Sequence, residues 1–192
     1  AGLVGLDCAA GFLALGVKVT LIETAQWLLS RQLDETSART YEKAFEEAGH
    51  EVVTIEKEAG KEVKGKQGES TVKIDVGIDD ASPEDFDALF IPGGFSPDQL
   101  RADDRFVQFA KAFMDAKKPV FAICHGPQLL LTAKTLEGRD ATGYKSIKVD
   151  MEYAGAKYAD KEVVVCQNQL VTSRTPDDLP AFIRESTKLL EK

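Results

Sequence analysis

PVFAICHGPQLL, residues 119–130, joins two apolar runs through the polar pair Cys124-His125. The first run, 119–123, is short and apolar throughout, and it predicts a buried strand. The second opens with a proline, which suits the first turn of a helix, and we expect that helix over 127–136. A strand that leads directly into a helix is the repeating unit of parallel α/β folds.

The same alternation continues along most of the chain. Strands that alternate with helices predict a mostly parallel sheet with helices on both faces. His50 directly follows the glycine that ends one of these helices, and we expect it at the surface. The predicted strands lie at 17–22, 51–55 and 88–91, hairpins lie around Gly68 and Gln167-Asn168, and further helices lie at 3–15, 104–116 and 176–191.

Cys124 stands at the corner between the predicted strand and helix. Such corners lie at the carboxyl edge of the sheet, where open α/β folds bind ligands. The dipole and free N–H groups of the following helix stabilise a thiolate or an oxyanion. A second loop, IPGG, follows a neighbouring strand, so the backbone N–H of Gly94 could reach the same pocket. This combination suits acyl transfer or carbonyl addition, while a cysteine that only fills the core is the alternative.

The composition restricts the classes of function. The length of 192 residues, with 43% hydrophobic residues, suits one α/β domain. A net charge of -8 argues against a nucleic-acid partner and against an anionic membrane surface. Three cysteines without CxxC spacing and two histidines argue against disulfides and metal sites, so we expect no metal. Without a secretory signal, the chain is predicted to be cytoplasmic.

The first 38 residues resemble a fragment of the NAD domain of pyridine-nucleotide disulfide oxidoreductases. Gly2 and Gly5 match the last two glycines of G-x-G-x-x-G, and Glu23 matches the acid that binds the ribose. The leading strand and the first glycine of that motif are missing, so no turn can cradle a pyrophosphate. We therefore expect this segment to be structural and to bind no cofactor, with NAD binding as the alternative.

From about residue 40 to the end, the chain resembles the PfpI superfamily of intracellular cysteine peptidases, glyoxalase-like enzymes and protein deglycases. Within that superfamily, the chain resembles the bacterial general-stress branch. The resemblance implies a flavodoxin-like α/β sandwich and a homodimer or higher homo-oligomer. The motifs that carry it are EAGHEV, GKQGE, DFDALFIPGGFSPDQLR, KPVFAICHGPQLL and VVVCQNQLVTSRTPDDLPAF.

The resemblance also implies roles for individual residues. Cys124 matches the family nucleophile, His125 matches the adjacent histidine, and the oxyanion donors match the backbone of Gly94 and His125. Asp98 takes the place of an acid that, in the peptidase branch, comes from the neighbouring subunit and orients the histidine. Arg174 matches a recurrent residue near the pocket, where a salt bridge at the surface or at an interface is the favoured interpretation.

One acid of the family pattern has no direct match. Family members carry a glutamate close to the nucleophilic sulfur, where it tunes the reactivity of the thiol. An ungapped match places Ser37 at that position, and a hydroxyl cannot replace a carboxyl as a proton shuttle. Glu35, two residues earlier, is the candidate replacement. If Glu35 does not reach the sulfur, the chain is a catalytically impaired chimera or a redox-sensing or chaperone-like protein.

The two resemblances together predict one globular domain with two origins. Residues 1–38 form a Rossmann-like helix and strand that supplies the first strand, and residues 39–192 form the PfpI-type domain, so the chain looks like a chimera. The predicted function is that of a cysteine-dependent stress-response enzyme. Its Cys124 attacks an electrophilic carbonyl in a peptide bond, a 2-oxoaldehyde or a glycation adduct. The expected partners are a small carbonyl or peptide substrate and further copies of the chain.

Overall fold

The structure, a computed structural model, describes residues 18–22, 46–47, 49–64 and 71–191. A seven-stranded sheet with helices packed against it confirms the predicted α/β class. The strands are β1 (Lys18–Ile22), β2 (Glu51–Glu56), β3 (Glu62–Lys64), β4 (Thr71–Lys73), β5 (Val76–Gly77), β6 (Ala88–Ile91), β7 (Val120–Ile123), β8 (Asp140–Ala141), β9 (Lys157–Tyr158), β10 (Val163–Cys166) and β11 (Leu170–Ser173).

The large sheet has the strand order β5-β2-β1-β6-β7-β11-β10. Neighbouring strands run parallel, except that β10 is antiparallel to β11. The central strands follow the doubly wound order of flavodoxin-like folds, with the second strand outside the first. The carboxyl ends of β6 and β7 lie side by side, with Ile91 paired to Ala122. The loops that carry Gly94 and Cys124 therefore leave the sheet at the same edge.

The predicted first strand of the sheet is present. β1 lies between β2 and β6 and pairs with both in parallel, with Thr20 opposite Val53 on one side and Leu89 on the other. Its β-branched composition suits a sheet interior. The other features predicted for this segment, namely the helix over 3–15 and the residues Gly2, Gly5 and Glu23, lie outside the described residues.

Alternating side chains of the buried strands divide the core between the two faces of the sheet. On β6, Leu89 and Ile91 face one cluster, whereas Ala88 and Phe90 face the other. Both faces of these strands are buried, which explains their continuous apolar sequence. This burial holds the loops at the carboxyl edge in fixed positions.

Five α-helices have both of their ends within the described residues. The helix α2 begins after Asp103, whose carboxylate accepts a hydrogen bond from the backbone N–H of Arg105. The helix α3 is shorter than the predicted 127–136, because the chain reverses at Lys134, which has a φ of 56°. The helices are α1 (Ser96–Leu100), α2 (Asp104–Asp115), α3 (Pro127–Thr132), α4 (Lys148–Tyr153) and α5 (Leu179–Leu190). No helix in the described part of the chain is long and apolar enough to cross a membrane.

Both predicted hairpins are confirmed, but the surface position predicted for His50 is wrong. The pairs β3–β4 and β10–β11 are antiparallel, and Gln167-Asn168 takes the positive φ angles of a tight hairpin turn. His50 is only 6% exposed. Burial lowers its pKa, while the charge of Glu191 near the end of the chain raises it. The charge of Glu191, which is distant in the chain, thus acts on His50 through the fold, and the local sequence does not reveal this.

Candidate active site

The corner after β7 holds Cys124 in a left-handed backbone conformation with a φ of 59°. Such a φ is uncommon outside glycine and persists only where the surroundings fix it. Here they do, because the N–H of Cys124 donates to the carbonyl oxygen of Ser173 at 3.0 Å, and its own carbonyl accepts from the N–H of Tyr144 at 2.8 Å. The turn has the strand-to-helix geometry of a nucleophile elbow, which presents the side chain at the edge of the sheet.

Two glycines allow the chain to approach this corner closely. A Cβ atom on Gly93 would lie 2.6 Å from the Cβ of Cys124 and 3.4 Å from its sulfur. A Cβ atom on Gly126 would lie 2.5 Å from the carbonyl oxygen of Ile91. Real side chains essentially never tolerate such distances, so both glycines are required for β6, β7 and α3 to meet here.

The sulfur of Cys124 lies 3.3 Å from Nδ1 of His125. Cys124 is only 8% exposed, and burial raises the pKa of its thiol. The backbone N–H groups of Gly94 and His125 act in the opposite direction and lower this pKa, but their effect is the smaller one. The described surroundings therefore keep Cys124 as a thiol at neutral pH, with two backbone donors beside it.

His125 is held on its other side by two residues of one loop. Its Nε2 lies 3.2 Å from the hydroxyl oxygen of Ser146, and its ring packs on Tyr144 with centroids 4.9 Å apart. Burial lowers the pKa of His125, while the charge of Asp98 raises it to a smaller extent. A neutral imidazole next to a thiol can accept the thiol proton when the sulfur reacts.

The other predicted site residues differ in where the structure places them. Asp98 lies in α1, and its carboxylate accepts a hydrogen bond from Nε of Arg101 at 2.9 Å, within the same chain. Its charge acts on His125, yet the nearer partner of the imidazole Nε2 is Ser146. An acid supplied by a second subunit stays a prediction. Glu35 and Ser37 lie outside the described residues.

Arg174 forms salt bridges, which is the interpretation favoured in the sequence analysis. Its Nε and Nη2 atoms lie 2.9 and 3.0 Å from the carboxylate of Asp178, and its Nη1 lies 2.6 Å from Asp160. Asp178 is buried, so this pair ties the start of α5 to the end of β11. Arg174 therefore has a structural partner on each side.

Sequence reasoning missed the loop that carries Tyr144 and Ser146. Both residues belong to the run GYKSIKVD. Tyr158 donates a hydrogen bond to the carbonyl oxygen of Gly143 at 3.1 Å and anchors this loop. No local pattern marks these residues, because they meet the elbow only through the fold.

Together these groups have the arrangement that a carbonyl-addition site requires. The sulfur of Cys124 contacts the imidazole of His125, whose pKa is lowered by burial, and the backbone N–H groups of Gly94 and His125 are hydrogen-bond donors to this sulfur. Groups arranged in this way can assist addition to a carbonyl. Among the described residues, no cluster of three or more histidine, cysteine or acidic side chains is arranged to hold a metal ion. The catalytic roles of these residues remain predictions.

Comparison with known proteins gives consistent matches over most of the chain. The sequence pattern of the DJ-1/PfpI family matches residues 23–189. General stress protein 18 of Bacillus subtilis is 75% identical over 150 residues, which cover 78% of this chain and 87% of the relative. Protein/nucleic acid deglycase 2 of Escherichia coli is 55% identical over 163 residues, which cover 85% of this chain and 95% of the relative.

Two further similarities bear on chemistry and fold. YraA of Bacillus subtilis, named as a candidate cysteine protease, is 60% identical over 164 residues, covering 85% of this chain and 96% of the relative. The crystal structure of a two-domain protein from Anabaena variabilis, with DJ-1/ThiJ/PfpI-like and ferritin-like domains, aligns with a TM-score of 0.79 and 35% identity. That alignment covers 91% of this chain and 47% of the two-domain protein.

Proposed function

The chain belongs to the DJ-1/PfpI family, and on this basis we propose that it is a cysteine-dependent stress-response enzyme whose Cys124 attacks a small electrophilic carbonyl. The observation that carries the proposal is the buried elbow, where the sulfur lies 3.3 Å from the imidazole of His125. The names of two relatives, a deglycase and a candidate cysteine protease, support hydrolase-type chemistry of this kind.

The first chemical step is the addition of the thiol to the carbonyl group, and the site can assist both the proton transfer and the developing charge on oxygen. As the sulfur of Cys124 bonds to the carbonyl carbon, the thiol proton passes to Nδ1 of His125. The electron pair of the C=O bond moves to oxygen, where the backbone N–H groups of Gly94 and His125 stabilise the negative charge. Return of the proton to that oxygen gives a neutral hemithioacetal and restores the neutral imidazole.

The later steps depend on the substrate. With a 2-oxoaldehyde such as methylglyoxal, transfer of hydrogen from the aldehyde carbon to the neighbouring carbonyl carbon gives a thioester, which water hydrolyses to a 2-hydroxy acid and the free thiol. With a hemiaminal adduct of the same aldehyde, the sulfur replaces the amine on carbon and the amine leaves with the thiol proton, after which the same hydrogen transfer and hydrolysis follow. Because Cys124 is only 8% exposed, small carbonyl compounds and their adducts fit this site better than a peptide bond within a folded protein.

The origin and assembly of the chain belong to the same proposal. The family match begins at residue 23, whereas β1 (Lys18–Ile22) precedes it and completes the sheet between β2 and β6. The family match includes residues 23–38, so within the proposed segment 1–38 only the part before residue 23, which contains β1, is supported as being of separate origin. We propose that the protein acts in the cytoplasm as a homo-oligomer, in which Asp98 of a second copy could approach His125.

A comparison of two cysteine variants tests the enzyme proposal. Cys124→Ser should abolish both the consumption of methylglyoxal and the formation of the 2-hydroxy acid. Cys166→Ser is the matched control, because Cys166 is also a buried free cysteine but lies on β10. Equal turnover by Cys124→Ser and the parent chain would refute the proposal, as would a parent rate no higher than that of buffer.

A second candidate is a catalytically impaired relative with a sensing or chaperone-like role. The specific observation in its favour is that burial raises the pKa of the Cys124 thiol, so the described residues do not form a thiolate. Ser37→Glu would restore a carboxyl at the position where the family has one. A large gain in turnover in this variant would support the impaired candidate, whereas unchanged high turnover would exclude it.

A further inference from the structure

The hydroxyl of Ser146 lies within hydrogen-bond distance of Nε2, the outer nitrogen of His125. Its Oγ lies 3.2 Å from Nε2, while Nδ1 of the same ring faces the sulfur of Cys124 at 3.3 Å. Ser146 belongs to the short 3₁₀ turn Lys145–Ile147 that precedes α4. The imidazole therefore has a hydrogen-bonding partner at each nitrogen, and both partners come from the same chain.

Two hydrogen-bond patterns fit these distances, because a hydroxyl can donate or accept. In the first pattern, the thiol S–H donates to Nδ1, and Nε2–H donates to the oxygen of Ser146. In the second, Ser146 donates to Nε2, and Nδ1–H points at the sulfur. Only the first leaves Nδ1 free to accept the thiol proton, so the proton position on His125 decides whether it can act as the base.

The first pattern makes the better use of both partners. A thiol sulfur is a weak acceptor, whereas a hydroxyl oxygen is a good one, so the N–H of the ring is better placed on the side of Ser146. The same contact also persists through the reaction. Once Nδ1 has taken the thiol proton, Nε2–H still donates to Ser146, and no hydrogen bond on that side has to be remade.

We propose that Ser146 is a positioning residue that accepts a hydrogen bond from Nε2–H of His125 and so keeps Nδ1 unprotonated and directed at the sulfur of Cys124. This inference rests on the proposed function of Cys124 as nucleophile. It assigns to a hydroxyl of the same chain the contact that the family resemblance assigned to an acid. Asp98, the acid expected there, is hydrogen-bonded to Arg101.

Because Ser146 is uncharged, it does not favour the protonated form of His125. A carboxylate beside Nε2 would favour the charged imidazolium, whereas a hydroxyl accepts the hydrogen bond without adding charge. Burial lowers the pKa of His125, and Asp98 opposes this only in part. Ser146 thus fixes the orientation of a ring that stays neutral, as a base must before it takes a proton.

Nitrogen-15 NMR of the imidazole side chains tests the proposal directly. The sequence has only two histidines, so His50 serves as an internal reference. In the parent chain, at a pH where both rings are neutral, His125 should show a protonated Nε2 and an unprotonated Nδ1. Ser146→Ala should shift both nitrogens towards a mixture of the two tautomers, and Ser146→Thr, which keeps the hydroxyl, should restore the parent pattern.

A matched control is available at the opposite edge of the sheet. Ser82 is a serine before β6 whose hydroxyl contacts Glu84, and Ser82→Ala should leave both histidines unchanged. Two results would overturn the proposal: a parent His125 that carries its proton on Nδ1, or a Ser146→Ala variant whose His125 signals match those of the parent. Each is read without any assay of turnover.

The kinetic readout separates this proposal from the enzyme proposal. Loss of the hydrogen bond should lower kcat/KM for methylglyoxal by roughly fivefold, mostly through kcat, with recovery in Ser146→Thr. If the NMR pattern appears but Cys124→Ser turns over as fast as the parent, the function of Cys124 is wrong while the role of Ser146 in fixing the tautomer stands. If Cys124→Ser is inactive and Ser146→Ala changes neither kcat nor the NMR pattern, only the role of Ser146 is wrong.

Discussion

Nδ1 of His125 lies 3.3 Å from the sulfur of Cys124, although the two residues are neighbours in sequence. In a regular strand, successive side chains point to opposite faces. The left-handed φ of 59° at Cys124 breaks that alternation and brings both side chains to the same side of the chain. The contact between the sulfur and the imidazole thus depends on one backbone angle, which the hydrogen bonds to Ser173 and Tyr144 hold in place.

The pH dependence of alkylation should show that Cys124 rests as a thiol. Burial raises its pKa above 9.0, its ordinary value, and only the thiolate reacts with iodoacetamide. The rate should therefore rise about tenfold per pH unit through neutrality and continue to rise where a free cysteine peptide has reached its plateau. Mass spectrometry of the peptide that contains Cys124 measures this rate. A plateau below neutral pH would instead mean that a group outside the described residues creates a thiolate.

Gly93→Ala should disrupt the elbow more than it disrupts the fold. The added Cβ would lie 2.6 Å from the Cβ of Cys124, and a displacement of about 1 Å in a reacting group can cost about 100-fold in rate. We expect kcat/KM for methylglyoxal to fall by about that factor, while the free energy of unfolding falls by about 1–3 kcal/mol.

Gly60→Ala is the control for that variant. Gly60 has a φ of 75° and no heavy atom within 4 Å of the added Cβ. Its substitution should cost about 1 kcal/mol of stability through backbone strain alone and leave kcat/KM unchanged. Urea unfolding and initial rates on the same samples separate the two effects. A Gly93→Ala variant that is as active as Gly60→Ala would show that the elbow tolerates the displacement.

The sequence predicted those parts of the fold that local patterns specify. The strand at 88–91 matches β6 at both ends, because a continuous apolar run bounded by turn residues has few alternatives. The elbow and the loop of Gly94 meet as predicted, since parallel strands bring their carboxyl ends to one edge. The candidate roles of Asp98 and Glu35 came from the family resemblance, because the arrangement of parallel strands does not predict them.

The parts that sequence reasoning missed depend on contacts between distant segments. His50 follows a glycine at a helix end, a local sign of the surface, yet it is buried near Glu191, far away in the chain. The apolar residues after Pro127 predict a helix that continues to Leu136. In the structure Leu136 is buried in the core, but it lies beyond the end of α3. Ser146 carries no recognisable motif, and only the packing of its loop beside the elbow brings it to His125.

The stability of the fold should decrease as the pH falls from about 7.5 to about 5.5. Burial lowers the pKa of both His50 and His125 below 6.5, their ordinary value. The unfolded chain therefore binds more protons than the folded chain in this range. The free energy of unfolding consequently decreases as the pH decreases. Urea titrations at the two pH values measure the loss. In His50→Gln the loss should be smaller, and in the double variant His50→Gln/His125→Gln it should nearly vanish. An equal loss in all three proteins would assign it to other groups.

Arg174→Leu should destabilise the fold without removing the chemistry. The guanidinium is held by two contacts, at 2.9 and 3.0 Å, to the buried carboxylate of Asp178. Loss of this partner should cost about 2 kcal/mol, because the carboxylate would stay buried without its ion pair. Combining Arg174→Leu with Asp178→Asn, which removes the buried charge, should cost less than the sum of the two single changes. The kcat/KM of the folded protein should stay within about threefold of the parent value. A large rise in KM with unchanged stability would instead identify Arg174 as a residue that binds the substrate.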